Sequence, residues 1–257
     1  MGVKIIVVDV YGTLQRMGDQ PLTEKTVEVL QKLQAKGVKL AIASGRAVYR
    51  IPHYKEVQFD ILVGFNGACI EYKGEIIHRD PIPHEDVVKI KENADKMGRA
   101  ITIATEKSIY GNGSDTILEE YFGFSKAIVP ISADFDERLQ DDVYQIMMTL
   151  KADEYASLLE GTTGTSITAW WPNAVDIIPS SAGKGKAVEK VCELLGIDIE
   201  ESASFGDGQN DMDMLKATGR GIAMGSATEE VKAIADDVCR GIDEDGIYYY
   251  CLEKGWI

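Results

Sequence analysis

The chain has 257 residues, 45% of them hydrophobic and 27% charged, with 27 Lys and Arg against 42 Asp and Glu for a net charge of −15. This is the composition of a folded globular protein, not of a disordered or disulfide-stapled one, and the length suits either one large α/β domain or a core carrying an inserted second domain. The acidic balance repels nucleic acid and anionic lipid, which need clustered Lys and Arg, so neither is expected as a partner; a small phosphate ester can still bind where local positive charge outweighs the mean field.

Residues 3–8 form a run rich in β-branched side chains with little polar alternation, the pattern of a parallel strand buried on both faces. Asp9 breaks the run, which is far too short for a signal sequence or a membrane span, so a cytoplasmic protein is expected. Residues 23–36 space Val27, Leu30 and Leu33 between charges and end at Gly37, which predicts an amphipathic helix with a glycine stop. A second buried strand is expected over 38–43, another apolar segment over 60–64, and a hairpin pairing 69–72 with 75–79 across Lys73 and Gly74. Strand, helix and strand in that order begin a doubly wound sheet.

The pattern then restarts. A helix is expected near 84–97, a strand near 100–104, a short helix around Leu118, a strand over 143–150, a helix near 154–160, and strands near 166–171 and 175–178. Pro81 and Pro83 stand at the start of this stretch and Pro179, Ser180 and Ser181 at its end, both places suited to hinges. After Lys184 a helix runs to about Leu195 and stops at Gly196, and 202–205 and 221–224 read as the remaining strands. The expected architecture is α/β: a doubly wound parallel-sheet core split between residues 1–80 and 181–257, with residues 81–180 as an inserted α/β domain.

Cys69, Cys192, Cys239 and Cys251 show no Cys-x-x-Cys pair or zinc-like spacing and are expected as buried free thiols in a reducing compartment. His53, His78 and His84 lack ligand spacing and are taken as structural or solvated.

Chemistry concentrates at two places. Asp9 sits at the carboxyl end of the first strand, followed by Val10, Tyr11, Gly12 and Thr13; Gly206, Asp207, Gly208, Gln209, Asn210 and Asp211 follow a later strand and lead into a helix. In an open α/β sheet both places lie on the edge where ligands bind. Alone, each carboxylate is most simply a helix cap or a turn residue. Three together repel unless a cation sits between them, so Asp9, Asp207 and Asp211 imply a hard, oxygen-liganded ion, with magnesium the expected one.

The segment 9–13 resembles the first motif of the haloacid dehalogenase superfamily, usually Asp-x-Asp-Gly-Thr in its phosphatases. Ser44, Gly45 and Arg46 resemble the second motif, Lys184 with Gly185 the third, and the 206–211 loop the fourth. The Asn66, Gly67, Ala68 triplet and the stretch from Ala223 to Lys232 are similar to the Cof-type subgroup, which inserts a large α/β cap where the pattern here restarts. Four motifs in order, with an insertion between, are far more specific than any one of them.

The resemblance implies a phosphatase of small phosphorylated metabolites, sugar phosphates being the class the subgroup suggests, with Asp9 as nucleophile. Magnesium would be held by Asp9, Asp207 and the backbone carbonyl of Tyr11, with Asp211 as a further ligand or supporting partner. Ser44 and Lys184 would face the phosphate oxygens, with Gly45, Arg46 and Asn210 in the same phosphate-binding group. The cap would close over the leaving group. At most one of Trp170 and Trp171 should face the site, since neighbours on a strand point to opposite faces, and core packing is the default for both.

Tyr11 departs from the phosphatase pattern, which has Asp there as acid and base. A phenol, with pKa ~10, can donate a proton at pH 7 but is a poor base for the second step, so turnover is expected to be slowed. Two other readings follow from the same residue: a catalytically silent protein that binds a phosphometabolite, and a 2-haloacid dehalogenase, whose first motif also carries Tyr at this place. The acidic 206–211 loop and the large insertion oppose the latter.

Overall fold

The computed structural model describes residues 2–16 and 20–257. Its strands are β1 (Ile5–Val8), β2 (Lys39–Ala43), β3 (Ile61–Gly64), β4 (Cys69–Tyr72), β5 (Glu75–Arg79), β6 (Thr102–Thr105), β7 (Ile109–Gly111), β8 (Val143–Thr149), β9 (Thr165–Trp171), β10 (Ala174–Pro179), β11 (Ser202–Gly206), β12 (Arg220–Ala223) and β13 (Asp237–Val238). The helices are α1 (Glu24–Ala35), α2 (His84–Lys96), α3 (Thr116–Gly123), α4 (Phe135–Arg138), α5 (Tyr155–Leu158), α6 (Lys184–Leu195), α7 (Met212–Ala217), α8 (Glu229–Ile234) and α9 (Gly246–Glu253). Among the described residues no helix is long and apolar enough to cross a membrane.

One sheet has the order β13-β12-β11-β1-β2-β3-β4-β5. Neighbours from β13 to β3 pair in parallel, and β4 and β5 close one side as an antiparallel hairpin. From β1 the chain winds outward through β2 and β3, then returns to the other side of β1 as β11. The carboxyl ends of β1 and β11 therefore meet at the point where the winding reverses, and a crevice opens there.

Alternation along β1 explains how the sheet is covered. Ile6 and Val8 join a core with Val29, Leu30 and Leu33 of α1 and Ile247 and Cys251 of α9, whereas Ile5 and Val7 face Ala187, Val188 and Val191 of α6 and Met214 of α7. Both faces are thus buried, as the unbroken apolar run requires. Thr23 caps α1 by accepting from the Thr26 N–H at 3.1 Å, and Gly196, left-handed at φ 62°, ends α6.

A second sheet, β7-β6-β8-β10-β9, is antiparallel and comes wholly from the middle of the chain. On one face Ile146 and Met148 of β8 and Val175 and Ile177 of β10 pack under Val87, Ile90 and Ala94 of α2. The residues between them, Gln145, Met147 and Asp176, turn toward the first sheet and line the cavity between the two.

Expected and observed elements differ at the helix after β8, at two short strands, and at α4, α8 and α9, which the sequence did not announce. The helix expected over 154–160 is a single turn, α5, because Gly161 and the turn after it stop the helix. β7, of 3 residues, and β13, of 2, were not anticipated, being too short to show alternation. The four cysteines are free and buried, as expected.

Candidate active site

The Asp9 N–H donates to the Phe205 carbonyl at 3.1 Å, carrying the β1–β11 ladder one residue past the strand and setting Asp9 beside the 206–211 loop. The chain then turns sharply: the N–H groups of Leu14 and Gln15 both return to the Val10 carbonyl, at 3.0 and 2.7 Å. Gly12 makes this turn with φ +88°, and a Cβ there would lie 2.2 Å from Asp207 Oδ2. No other residue type fits. Thr13 Oγ1 donates to Asp207 Oδ1 at 2.8 Å, so the first motif also orients a carboxylate of the fourth.

Asp211 folds back over its own loop. Its Oδ2 accepts from the N–H groups of Asp207 and Gly208 at 3.1 and 2.9 Å, leaving Oδ1 for Lys184. Lys184, the first residue of α6, is 1% exposed, with Nζ 2.7 Å from Asp9 Oδ1 and 2.6 Å from Asp211 Oδ1. Burial alone would lower its pKa, but Asp211 and Asp9 hold the ammonium above the ordinary lysine range. Ser44 follows β2, its Oγ accepting the Arg46 N–H at 3.2 Å, and the Arg46 guanidinium lies 4.3 Å over the Tyr11 ring.

One carboxylate oxygen each from Asp9, Asp207 and Asp211 lies within 4.8 Å of the others. Burial, then repulsion by Asp211 and Asp207 against the pull of Lys184, pushes Asp9 up to about 7. Burial and Asp211 push Asp207 up to about 6, against the Thr13 hydrogen bond and Lys184. Three carboxylates facing one ammonium leave an excess of negative oxygen, the donor set a hard divalent cation takes, so the residues present fit magnesium.

Above this edge is a cavity of about 380 Å³ between the two sheets. Asp9, Tyr11, Ser44, Gly45, Arg46, Asp207, Asn210 and Asp211 line its floor, and Lys184 reaches Asp9 from a neighbouring cavity that Asn210 also borders. The sequence-predicted residues are therefore brought together. Trp170 corrects an expectation: it lines the cavity and is 38% exposed instead of lying in the core, because β9 is the edge strand of its sheet.

The two sheets also meet through a buried polar junction. Asn66, left-handed at φ 51° in the turn after β3, donates from Nδ2 to Gln145 Oε1 at 3.2 Å and Asp176 Oδ2 at 3.1 Å, and Tyr121 donates to Asp176 Oδ1 at 2.6 Å. Burial raises Asp176 to about 6 despite both hydrogen bonds. A raised carboxyl means the folded state holds a proton the unfolded chain has lost. The resulting stability is complete below the ordinary value of 3.8 and disappears as pH rises through about 6. The span corresponds to roughly 3 kcal/mol. Asp176→Asn removes this dependence, and the Asn66 Oδ1, which has no hydrogen-bond partner among the described residues, can turn to accept from the new amide. Thermal melts should show the variant gaining on the parent between pH 5 and pH 8; a constant difference would contradict the assignment.

Residues 6–251 match the family of haloacid dehalogenase-like hydrolases. The chain belongs to that family. It is 29% identical to YkrA of Bacillus subtilis over 260 residues, covering 99% of both chains. It is 26% identical to the 5-amino-6-(5-phospho-D-ribitylamino)uracil phosphatase YitU of Bacillus subtilis over 265 residues, or 97% of this chain and 96% of YitU. The solved structure of the haloacid dehalogenase subclass IIB sugar phosphatase BT4131 superposes with a TM-score of 0.90 at 31% identity, covering 99% of this chain and 100% of that one.

Within this haloacid dehalogenase-like hydrolase, sequence reasoning missed Arg50, Tyr121, Gln145 and Asp176 as cavity residues and the Thr13 hydroxyl as the partner of Asp207. Asp176 did leave a signal: it is the lone charge in the apolar run of β10. The others show nothing unusual until the strands are paired.

Proposed function

We propose that this hydrolase is a magnesium-dependent phosphatase of small phosphorylated metabolites that works through a phosphoaspartate at Asp9, its second step slowed by Tyr11. The observation that carries the reading is the contact of the Asp9 carboxylate with a buried ammonium, Lys184, beside two further carboxylates that fit a divalent ion. The phosphatase names of YitU and BT4131 support the same class of reaction.

In the first step an Asp9 oxygen attacks phosphorus, the bond to the leaving oxygen breaks, and that oxygen takes a proton, with the Tyr11 hydroxyl as the donor. Lys184 and the Ser44 hydroxyl spread the charge on the phosphoryl oxygens, with Arg46, the Gly45 backbone and Asn210 beside them on the cavity floor. In the second step, after the Tyr11 phenolate has regained its proton from solvent, water attacks the phosphoaspartate and gives up its proton to solvent, the bond from the Asp9 oxygen to phosphorus breaks, and phosphate leaves with Asp9 restored. Magnesium, held by Asp9, Asp207, Asp211 and the Tyr11 carbonyl, would supply positive charge against the phosphate oxygens. The cavity over the carboxylates covers the phosphoryl group with the second sheet and limits its contact with bulk water.

Intact-mass measurement tests this. After mixing with acetyl phosphate and magnesium, a large fraction of the chain should carry one phosphoryl group, and chelation with EDTA or Asp9→Asn should prevent it. A chain that never acquires the adduct, yet binds phosphate esters, would instead be the silent binding protein that Tyr11 also permits. Metal-independent halide release from 2-chloropropionate would favour the dehalogenase.

A further inference from the structure

Six arginines, Arg16, Arg79, Arg99, Arg138, Arg220 and Arg240, each have a carboxylate oxygen within 3.4 Å. The other two, Arg46 and Arg50, have no carboxylate partner among the described residues, and both line the cavity above Asp9. In a chain of net charge −15, acidic groups are abundant enough to pair every arginine. A guanidinium left without an acid beside a partly apolar cavity is positive charge available to a ligand. Arg46 follows Ser44 and lies against Tyr11 at the phosphoryl end. Arg50, four residues further on in the turn after β2, is a second such group and has no part in the proposed transfer step.

The cavity wall away from the carboxylates is aromatic and aliphatic. Phe122, Phe124, Trp170, Ile109 and Met147 contribute to it, with Trp170 edge-on to Phe124 at 5.2 Å and 5.4 Å from the Tyr121 ring. Several acceptors in the same wall are already engaged. Both Asp176 oxygens accept hydrogen bonds from Tyr121 and Asn66, Gln145 Oε1 accepts from Asn66, and the Ser125 hydroxyl donates to the Phe122 carbonyl. A polyol entering here would lose water and find few free acceptors for its hydroxyl groups. A flat ring loses little water and gains contact with the indole and phenyl faces.

We infer that the substrate is a phosphomonoester whose leaving group is a planar unsaturated ring bearing a second anionic group, the ring lying against Trp170 and Phe124 and the anion on Arg50. This rests on the phosphatase reading above and narrows its substrate class.

Three esters of primary alcohols with similar leaving groups test it: 4-carboxybenzyl phosphate, benzyl phosphate and glucose 6-phosphate, with kcat/KM read by phosphate release in magnesium. The carboxylated ester should lead benzyl phosphate by about tenfold or more, as expected for a charge-assisted hydrogen bond. Arg50→Gln should shrink that ratio to within about threefold. Trp170→Ala should cost both benzyl esters about threefold to tenfold relative to glucose 6-phosphate, the scale of a ring contact; Phe124→Leu serves if the first variant misfolds. Preference for glucose 6-phosphate, or a benzyl pair ratio indifferent to Arg50→Gln, overturns the assignment. Calorimetric binding of the same esters to Asp9→Asn separates the two claims. If no ester is hydrolysed but the binding order holds, the phosphatase reading fails and the cavity assignment stands; if turnover occurs with the order reversed, the cavity assignment alone fails.

Discussion

Tyr11→Asp is expected to raise steady-state phosphate release from alkyl phosphates by about 10² to 10⁴, the usual worth of general acid–base help. Tyr11 borders the cavity floor with Asp9, so a carboxylate there lies beside the same reacting group. Once the native phenol has donated in the first step and regained its proton from solvent, it offers the second step no base. Rapid-quench kinetics should therefore show a burst of one phosphoryl group per chain followed by slow release in the parent, and linear release in Tyr11→Asp. Equal turnover by parent and variant, without a burst in either, would mean that position 11 does not set the rate.

Lys184→Met should be the most damaging change to both stability and activity. The ammonium is 1% exposed and touches Asp9 at 2.7 Å and Asp211 at 2.6 Å. Removing one partner of a buried ionic group leaves the others uncompensated and typically costs about 3 to 5 kcal/mol. The loss should be worst without metal at pH 8, and smaller near pH 5, where Asp9, already raised to about 7, takes up a proton. Urea melts at the two pH values with and without magnesium check this, and phosphate release should fall in parallel because the charge facing the phosphoryl oxygens is gone. Undiminished stability at pH 8 in EDTA would show that Asp9 and Asp211 do not depend on this lysine.

Most of the core could be read from the chain because each element satisfies its local rule. β1 is an unbroken apolar run, the β4–β5 hairpin turns on Lys73 and Gly74, and α6 stops at Gly196. The short pieces could not be read, since the 2 residues of β13 carry no period and depend on β12 for their pairing. The site divides in the same way. Asp9, Ser44, Lys184, Asp207 and Asp211 stand at strand ends and helix starts, positions that adjacent sequence announces. Arg50, Tyr121 and Asp176 acquire meaning only when the antiparallel sheet is laid over the parallel one, a relation between segments about which local pattern is silent.

The position of β1 between β2 and β11 bears on how the molecule is made. Its first neighbour begins at Lys39, but its second begins at Ser202, so during synthesis the strand keeps one hydrogen-bonding edge open until most of the polypeptide has left the ribosome. An apolar strand with a bare edge is a template for pairing with another nascent chain. The antiparallel sheet, drawn wholly from residues in between, can complete itself while that edge waits. The bond from Thr13 to Asp207, spanning 194 positions, is therefore among the last to close, and a truncated product would expose the very surface that the finished enzyme hides.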